Sequence, residues 1–354
     1  MSKKRNVTIA TTILASSVLL GGCGLLGGEK KKDIDPPKEV TYVEDADKLE
    51  GKDTESKGKV EAEQKTVMTE LYLIDKNGFV VPQSVALPGN EGVAKQALEY
   101  LVENGPVSNI LPNGFRAVLP ADTEVGVNIN KDGVAVVDFS PEFATYKAED
   151  ELKILQSITW TLTQFDSVKS VKLRINGHEI NEMPVNQTPI TDAVSRENGI
   201  NLDTTSVVDI TNTKPVTIYY IGGEEGSYYY VPVTKRVGDN ASDPVTAVVN
   251  ELTKAPNFAS HLLTEFMPDV KLVEAPKVAD GKVTLNFNES IYGGFEEKTI
   301  SQSLLTALVL TLTEQEGIES VEVLINGKAE LKNAEGKPLT EPVVRPEKVN
   351  TGSF

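Results

Sequence analysis

Apolar residues fall at helical spacing through Leu152, Leu155, Ile158, Leu162 and Phe165. They then alternate with polar residues from Ser170 to Ile175, and the pattern stops at Asn176-Gly177. This succession predicts a helix over about 149–165, a strand over 170–175 and a turn. The same succession returns 150 residues later. Residues 153–177 (KILQSITWTLTQFDSVKSVKLRING) and 303–327 (SLLTALVLTLTEQEGIESVEVLING) share nine of twenty-five positions without a gap, including Leu155/Leu305, Thr161/Thr311, Leu162/Leu312 and Asn176-Gly177/Asn326-Gly327. Self-similarity at a fixed offset means two copies of one α+β domain.

The flanking patterns repeat as well. Leu71 to Ile74 and Phe79 to Pro82 read as strands around the turn Asp75-Lys76-Asn77-Gly78. A helix is predicted over 92–104, with Val93, Ala97, Leu98, Leu101 and Val102 on one face, ending at Asn104-Gly105-Pro106. After a loop rich in Pro and Gly, Val125 to Ile129 and Val134 to Phe139 form a hairpin around Asp132-Gly133. In the second copy Ile218 to Ile221 and Tyr230-Val231-Pro232 answer the first strand pair. Asp243-Pro244 opens a helix as N-cap and first helical residue. Asp280-Gly281 answers the hairpin turn, and Leu285-Asn286-Phe287 answers Val137-Asp138-Phe139. The expected fold class is therefore α+β, as two tandem compact domains, each with a small mixed or antiparallel sheet packed by two helices. The boundaries read 67–182 and 214–345. Residues 183–213 form an irregular connector whose apolar residues are expected to pack on the first domain, and 346–354 form a tail.

Composition adds location. The chain has 354 residues and a formal charge of −17. Removing residues 1–22 takes away Lys3, Lys4 and Arg5 and no acid, which moves the charge to −20. So acidic a surface repels nucleic acid and excludes it as a partner. The only cysteine is Cys23, so no internal disulfide forms. Residues 3–5 are basic, 7–20 are apolar but short for a membrane span, and Leu20-Gly21-Gly22-Cys23 resembles a bacterial lipobox. That resemblance implies a signal peptide over 1–22, cleavage before Cys23, and lipidation of Cys23. Two acyl chains suffice for stable anchoring in a membrane. Residues 23–66 are rich in Lys, Glu, Asp and Gly and are expected to be a disordered, lipid-anchored tether.

Little in the chain suggests catalysis. The two histidines, His178 and His261, do not match between copies, since His178 corresponds to Lys328. No catalytic, cofactor-binding or metal-ligating residue is assigned. Asp138, Glu142 and Glu289 are the carboxylates worth weighing, but Asn286 stands at the position matching Asp138 and cannot act as acid or base. Asp138 is expected to be a solvated strand residue or a cap, and Trp160 and Phe165 to be core. The tyrosines Tyr219, Tyr220, Tyr228, Tyr229 and Tyr230 either face a partner or pack between the domains.

The order of elements is strand pair, helix, loop with Leu119-Pro120, hairpin, Val137-Asp138-Phe139-Ser140, long helix and a strand ending Ile175-Asn176-Gly177. Duplicated behind a lipobox, it resembles the GerM-like sporulation and spore-germination lipoproteins, whose repeated unit is the GerMN domain. The second copy departs from the pattern at Asn286 and at Gly293-Gly294. The resemblance implies domains similar to ring-building-motif modules and no catalysis. It also implies a role in assembling the transenvelope complex of the SpoIIIA and SpoIIQ proteins between mother cell and forespore. By the same resemblance the protein is held to the cell membrane by lipid on Cys23 and faces the extracytoplasmic, intermembrane space, with envelope proteins of that complex as partners. Two other readings compete. A module binding wall polymer or a small solute would need a pocket in loops 106–120 and 256–268, and a wall hydrolase would need a catalytic constellation that the residues do not supply.

Overall fold

The computed structural model describes residues 66–89, 92–190, 192–205, 211–238, 243–293 and 298–351. Cys23, the tether expected before residue 66 and Gly294 lie outside the described residues. The first copy opens with an antiparallel hairpin, β1 (Thr66–Asp75) and β2 (Val80–Pro88), followed by α1 (Val93–Glu99) and the two-residue strand β3 (Phe115–Arg116), which adds to β1. Then come β4 (Val125–Ile129), β5 (Val134–Phe139), α2 (Glu151–Leu162), β6 (Ser170–Ile175) and β7 (His178–Glu179). These four strands form a sheet in chain order. Its central pair, β5 and β6, is parallel because α2 crosses over between them, and the outer pairs are antiparallel.

The second copy repeats the plan with β8 (Thr213–Glu224), β9 (Ser227–Gly238), α3 (Pro244–Leu252), β10 (Lys277–Ala279), β11 (Lys282–Phe287), α4 (Gln302–Thr313), β12 (Ser320–Ile325) and β13 (Val343–Val344). Its sheet runs β10-β11-β12-β13, again with a parallel centre. Register confirms the repeat. Tyr72 lies opposite Pro82 as Tyr219 lies opposite Pro232, and Val137 pairs with Leu173 as Leu285 pairs with Val323. The chain is thus two tandem α+β units, each with a small mixed sheet flanked by helices.

The crossover helix is enclosed rather than one-sided. α2 packs on β1 and β2 in one direction and on β6 in the other, and every residue from Ile154 to Leu162 is buried. A helix buried all round presents no polar face to water. Its hydroxyls therefore find partners inside: Ser157 donates to the Tyr72 carbonyl, and Thr161 accepts from the Tyr72 amide at 3.2 Å. The identical Thr311 accepts from the Tyr219 amide at 3.0 Å, so the repeated threonine ties each helix to the same point on its hairpin.

Three expectations need correction. Leu152, which the spacing puts on the apolar stripe, is 44% exposed, whereas its neighbour Glu151 is fully buried. The Glu151 carboxylate accepts from the amides of Val185, Asn186 and Thr188 and from the Tyr146 hydroxyl, and this turns Glu151 inward and Leu152 outward. The long helix spans 151–162 rather than 149–165, with a short 3-10 turn before it. The first helix spans 93–99 rather than 92–104. Beyond it the Leu101 carbonyl accepts from the amides of Val118 and Leu119, so the returning loop has taken the acceptor that a longer helix would use. In the second copy the expected cap holds: Asp243 accepts from the amides of Val245 and Thr246, with Pro244 at the first position.

The connector buries Met183, Ile190, Val194 and Ile200 in a core cluster that draws on both copies. The C-terminal segment was expected to be a simple tail, yet Val349 and Asn350 are buried too. At an offset of 149 rather than 150, residues 189–201 and 338–350 match at Pro189/Pro338, Thr191/Thr340, Val194/Val343, Arg196/Arg345 and Asn201/Asn350. The backbone agrees: Val194 bridges to Val171 as Val343 pairs with Val321. Connector and C-terminal segment are one repeated element.

Candidate interaction surface

That repeated element joins the two copies. β2 and β9 approach each other, and each presents an outer edge of backbone groups that its own hairpin leaves free. A direct ladder is interrupted because Pro82 and Pro232 have no amide to donate. Two asparagines fill the gap. Asn201 accepts from the Val80 amide at 2.8 Å and donates to the carbonyls of Val80 and Pro232, both at 2.7 Å. Asn350 accepts from the Tyr230 amide at 2.7 Å and donates to the carbonyls of Pro82 at 2.8 Å and Tyr230 at 2.9 Å. Each asparagine sits at positive φ, a conformation that Asn tolerates better than most residues. One residue earlier, the Val349 carbonyl accepts from Ser84 and the Ile200 carbonyl accepts from Thr234, again in matching pairs. The asparagine contacts and the carbonyl contacts beside them on one edge have their twins on the other, which gives the junction pseudo-twofold symmetry.

Beside it lies a half-buried charged group, with the Glu314 side chain at its most enclosed point. Glu314 pairs with Arg196 at 2.6 Å and with Arg345 at 3.0 Å, and Arg345 reaches Glu70 at 3.4 Å. The Tyr219 hydroxyl donates to Glu314 at 2.9 Å. Burial alone would raise the Glu314 carboxyl, but the two guanidiniums and that hydroxyl outweigh it and hold the group at about 2. The Arg196 guanidinium also lies 4.3 Å from the centre of the Trp160 ring, which places it for a cation–π contact. Two carboxylates against two arginines leave the group neutral, which makes burial tolerable.

The tyrosines belong to this junction rather than to an exposed surface. Tyr219, Tyr220, Tyr229 and Tyr230 are buried, and the Tyr229 hydroxyl reaches across to Asp75 of the first copy at 2.7 Å while its ring meets Phe115 edge-on. Trp160 is core, and Phe165 packs half-buried against it, just past the end of α2. His178 and His261 are exposed. Asp138 is neither a free solvated residue nor a helix cap. It accepts from the Gly177 amide at 2.9 Å, and Asn286 accepts from Gly327 at 2.8 Å. Asn176-Gly177 and Asn326-Gly327 all have positive φ, the type I′ geometry, and the strand side chain at 138 or 286 braces that turn. An acceptor oxygen is all this needs, so Asp and Asn are interchangeable there. Glu142 and Glu289 are exposed and far apart in sequence, and Glu289 accepts from Asn326. Among the described residues no group of three or more His, Cys, Asp or Glu is placed to hold a metal ion.

The loop 106–120 does shape a cavity. A groove of about 920 Å³ runs along the first copy, with Leu111, Phe115, Val118 and Ile154 in its lining. Arg116 crosses its wall to Asp150 at 2.6 Å, and Lys153 meets the same carboxylate at 3.1 Å. Burial would raise the Asp150 carboxyl, but these two cations hold it below its ordinary value. The counterpart of Arg116 is Leu263, which bridges to Ile221 as Arg116 pairs with Ile74. The counterpart loop instead exposes Phe258 (95% exposed) and Met267. The asparagine junction, Arg196, Arg345 and Glu314 were not singled out in the sequence. The one available signal was the 149-residue offset, which a gap-free search at 150 passes over.

Comparisons with known proteins agree with this architecture. The family model described as "Germane: Sporulation and spore germination" matches residues 70–181 and 217–331. The spore germination protein GerM of Bacillus subtilis (strain 168) is 57% identical over 366 aligned residues, covering 100% of both chains. The solved tandem GerMN domains of the sporulation protein GerM from Bacillus subtilis are 61% identical and superimpose with a TM-score of 0.77 over 82% of this chain and 100% of that one. With a duplicated fold, a family match in each copy and end-to-end similarity to a curated member, this chain belongs to the GerM family of sporulation and spore-germination proteins with tandem GerMN domains.

Proposed function

We propose that this protein is a membrane-anchored, extracytoplasmic lipoprotein that acts without catalysis as an assembly or localisation factor in sporulation, and hence in germination. Its site of action in this reading is the complex spanning the mother cell and forespore envelopes. The observation that carries the proposal is the end-to-end identity to a spore germination protein, which includes the region of the lipobox and Cys23. Acylation of Cys23 would tether the chain, and 23–66 would hold the paired domains away from the bilayer. Braced against each other, the two domains would present fixed surfaces to envelope proteins. The test is fractionation of sporulating cells carrying Cys23→Ala, together with photo-crosslinking from position 258. The expected result is release of the variant from membranes, failed sporulation, and crosslinks to envelope proteins in the parent chain. Membrane retention with normal sporulation in the variant would sink the anchored-factor reading.

A second reading, binding of wall polymer or a small solute, is favoured by one observation, the first-copy groove. Sedimentation of the chain with purified peptidoglycan separates the two: co-sedimentation supports polymer binding, and a clean negative removes it.

A further inference from the structure

We propose that the first-copy groove is the docking site for an extended, basic segment of a partner protein. The inference rests on the assembly-factor reading and names the chemistry of that partner. Three observations meet at this place. The groove lining includes the half-buried side chains of Leu111, Ala117 and Tyr146, which offer contact to apolar residues of a ligand above a floor formed by Phe115 and Val118. Its lining also carries Glu103, Asp122, Glu142 and Glu149, all exposed, against a single exposed lysine, Lys147. Asp150 is shared by Arg116 and Lys153, so that cluster carries one net positive charge, and the four acids still outnumber it together with Lys147 and set the sign. Finally, β3 is an edge strand of its sheet, and both of its residues line the groove. An extended peptide laid along such a wall places alternate side chains towards the apolar base and the acidic rim.

The second copy does not reproduce this chemistry. Leu263 stands where Arg116 lies, and Ile300 stands in the position of Asp150 ahead of the crossover helix. The Arg116–Asp150 ion pair in the groove wall is therefore, among the described residues, a feature of the first copy alone. A basic partner is also the one that a chain of charge −17 attracts over distance before contact.

The test uses the full-length chain in detergent and a fluorescent peptide of about eight residues alternating Lys with Val, roughly 26 Å long when extended. Fluorescence anisotropy should give saturable binding that weakens as salt rises. Glu142→Lys with Glu149→Lys should weaken it about tenfold or more, and the remote exposed reversal Glu335→Lys should leave it unchanged. Both rim residues are exposed, and circular dichroism of the rim variant should match the parent. Three results overturn the proposal: no binding, an equal loss with Glu335→Lys, or equal binding of a peptide with Glu in place of Lys. Competition by spermidine or by soluble peptidoglycan fragments at the same concentration as unlabelled peptide also overturns it, because the site would then take any cation or the polymer. If peptide binding fails while crosslinks from position 258 still capture envelope proteins, the groove inference falls and the assembly-factor reading stands.

Discussion

Asn350→Ala tests whether the junction makes one folding unit of the two copies. The Asn350 side chain is buried and makes three hydrogen bonds, at 2.7, 2.8 and 2.9 Å, to backbone groups of Tyr230 and Pro82. Each is worth roughly 0.5–1.5 kcal/mol net, and leaving its buried partner unmet costs about 1–3 kcal/mol. Alanine must also adopt the positive φ of 56°, at roughly 1 kcal/mol. Allowing for water entering the space, the loss is about 3–5 kcal/mol. The readout is urea unfolding followed by the single tryptophan. Trp160 is buried in the first copy, whereas Asn350 follows the second. If the copies unfold together, the Trp160 transition moves to lower urea by the full amount, with an unchanged slope and a coincident circular-dichroism transition. Asn350→Gly should be milder than Ala by about 1 kcal/mol, because glycine accepts the backbone angle. A Trp160 transition that stays in place, or a loss below about 1 kcal/mol, would refute the argument that this residue couples the domains.

Glu314→Gln should destabilise the protein at neutral pH by about 1–3 kcal/mol, since the amide keeps an acceptor for Arg196 and Arg345 but removes the charge they share, and both guanidiniums retain some contact with water. The folded Glu314 carboxyl lies near 2, below its ordinary value of 4.5, so its contribution is complete above about 4.5 and fades as pH falls towards 2. Acid titration of stability should therefore show a shallower decline in the glutamine variant, and parallel curves would contradict the assignment. Asp138→Asn should cost less than about 0.5 kcal/mol, because asparagine keeps the acceptor for Gly177, whereas Asp138→Ala should cost about 1 kcal/mol. Thermal melts of both variants check this. Leu152→Ala, on an exposed position, should stay within about 0.5 kcal/mol of the parent, whereas Ile158→Ala should lose about 2–5 kcal/mol by opening the enclosed helix. Equal losses at the two positions would return Leu152 to the core.

Much of this protein can be read from local patterns, because local physics writes them. The Asn-Gly turns, the Asp243-Pro244 cap and the alternation in Val134 to Phe139 each depend on the conformational preferences of a few adjacent residues. The duplication was plain for the same reason: two copies that need the same helix and strand keep the same spacing. Tertiary structure alone decided what the helix faces. Periodicity expects one apolar stripe, but α2 is enclosed between hairpin and sheet, and Glu151 turns inward because three backbone amides from 185–188 await it. Nor could a pattern along the chain announce the junction. Asn201 and Asn350 act on strands more than a hundred residues away, except where Asn201 reaches Pro232, and Glu314 meets arginines delivered by two separate segments. A side chain satisfying a remote backbone group leaves no periodic trace. It acquires its role only when both copies are folded and the prolines at the centre of their edges leave a gap to fill.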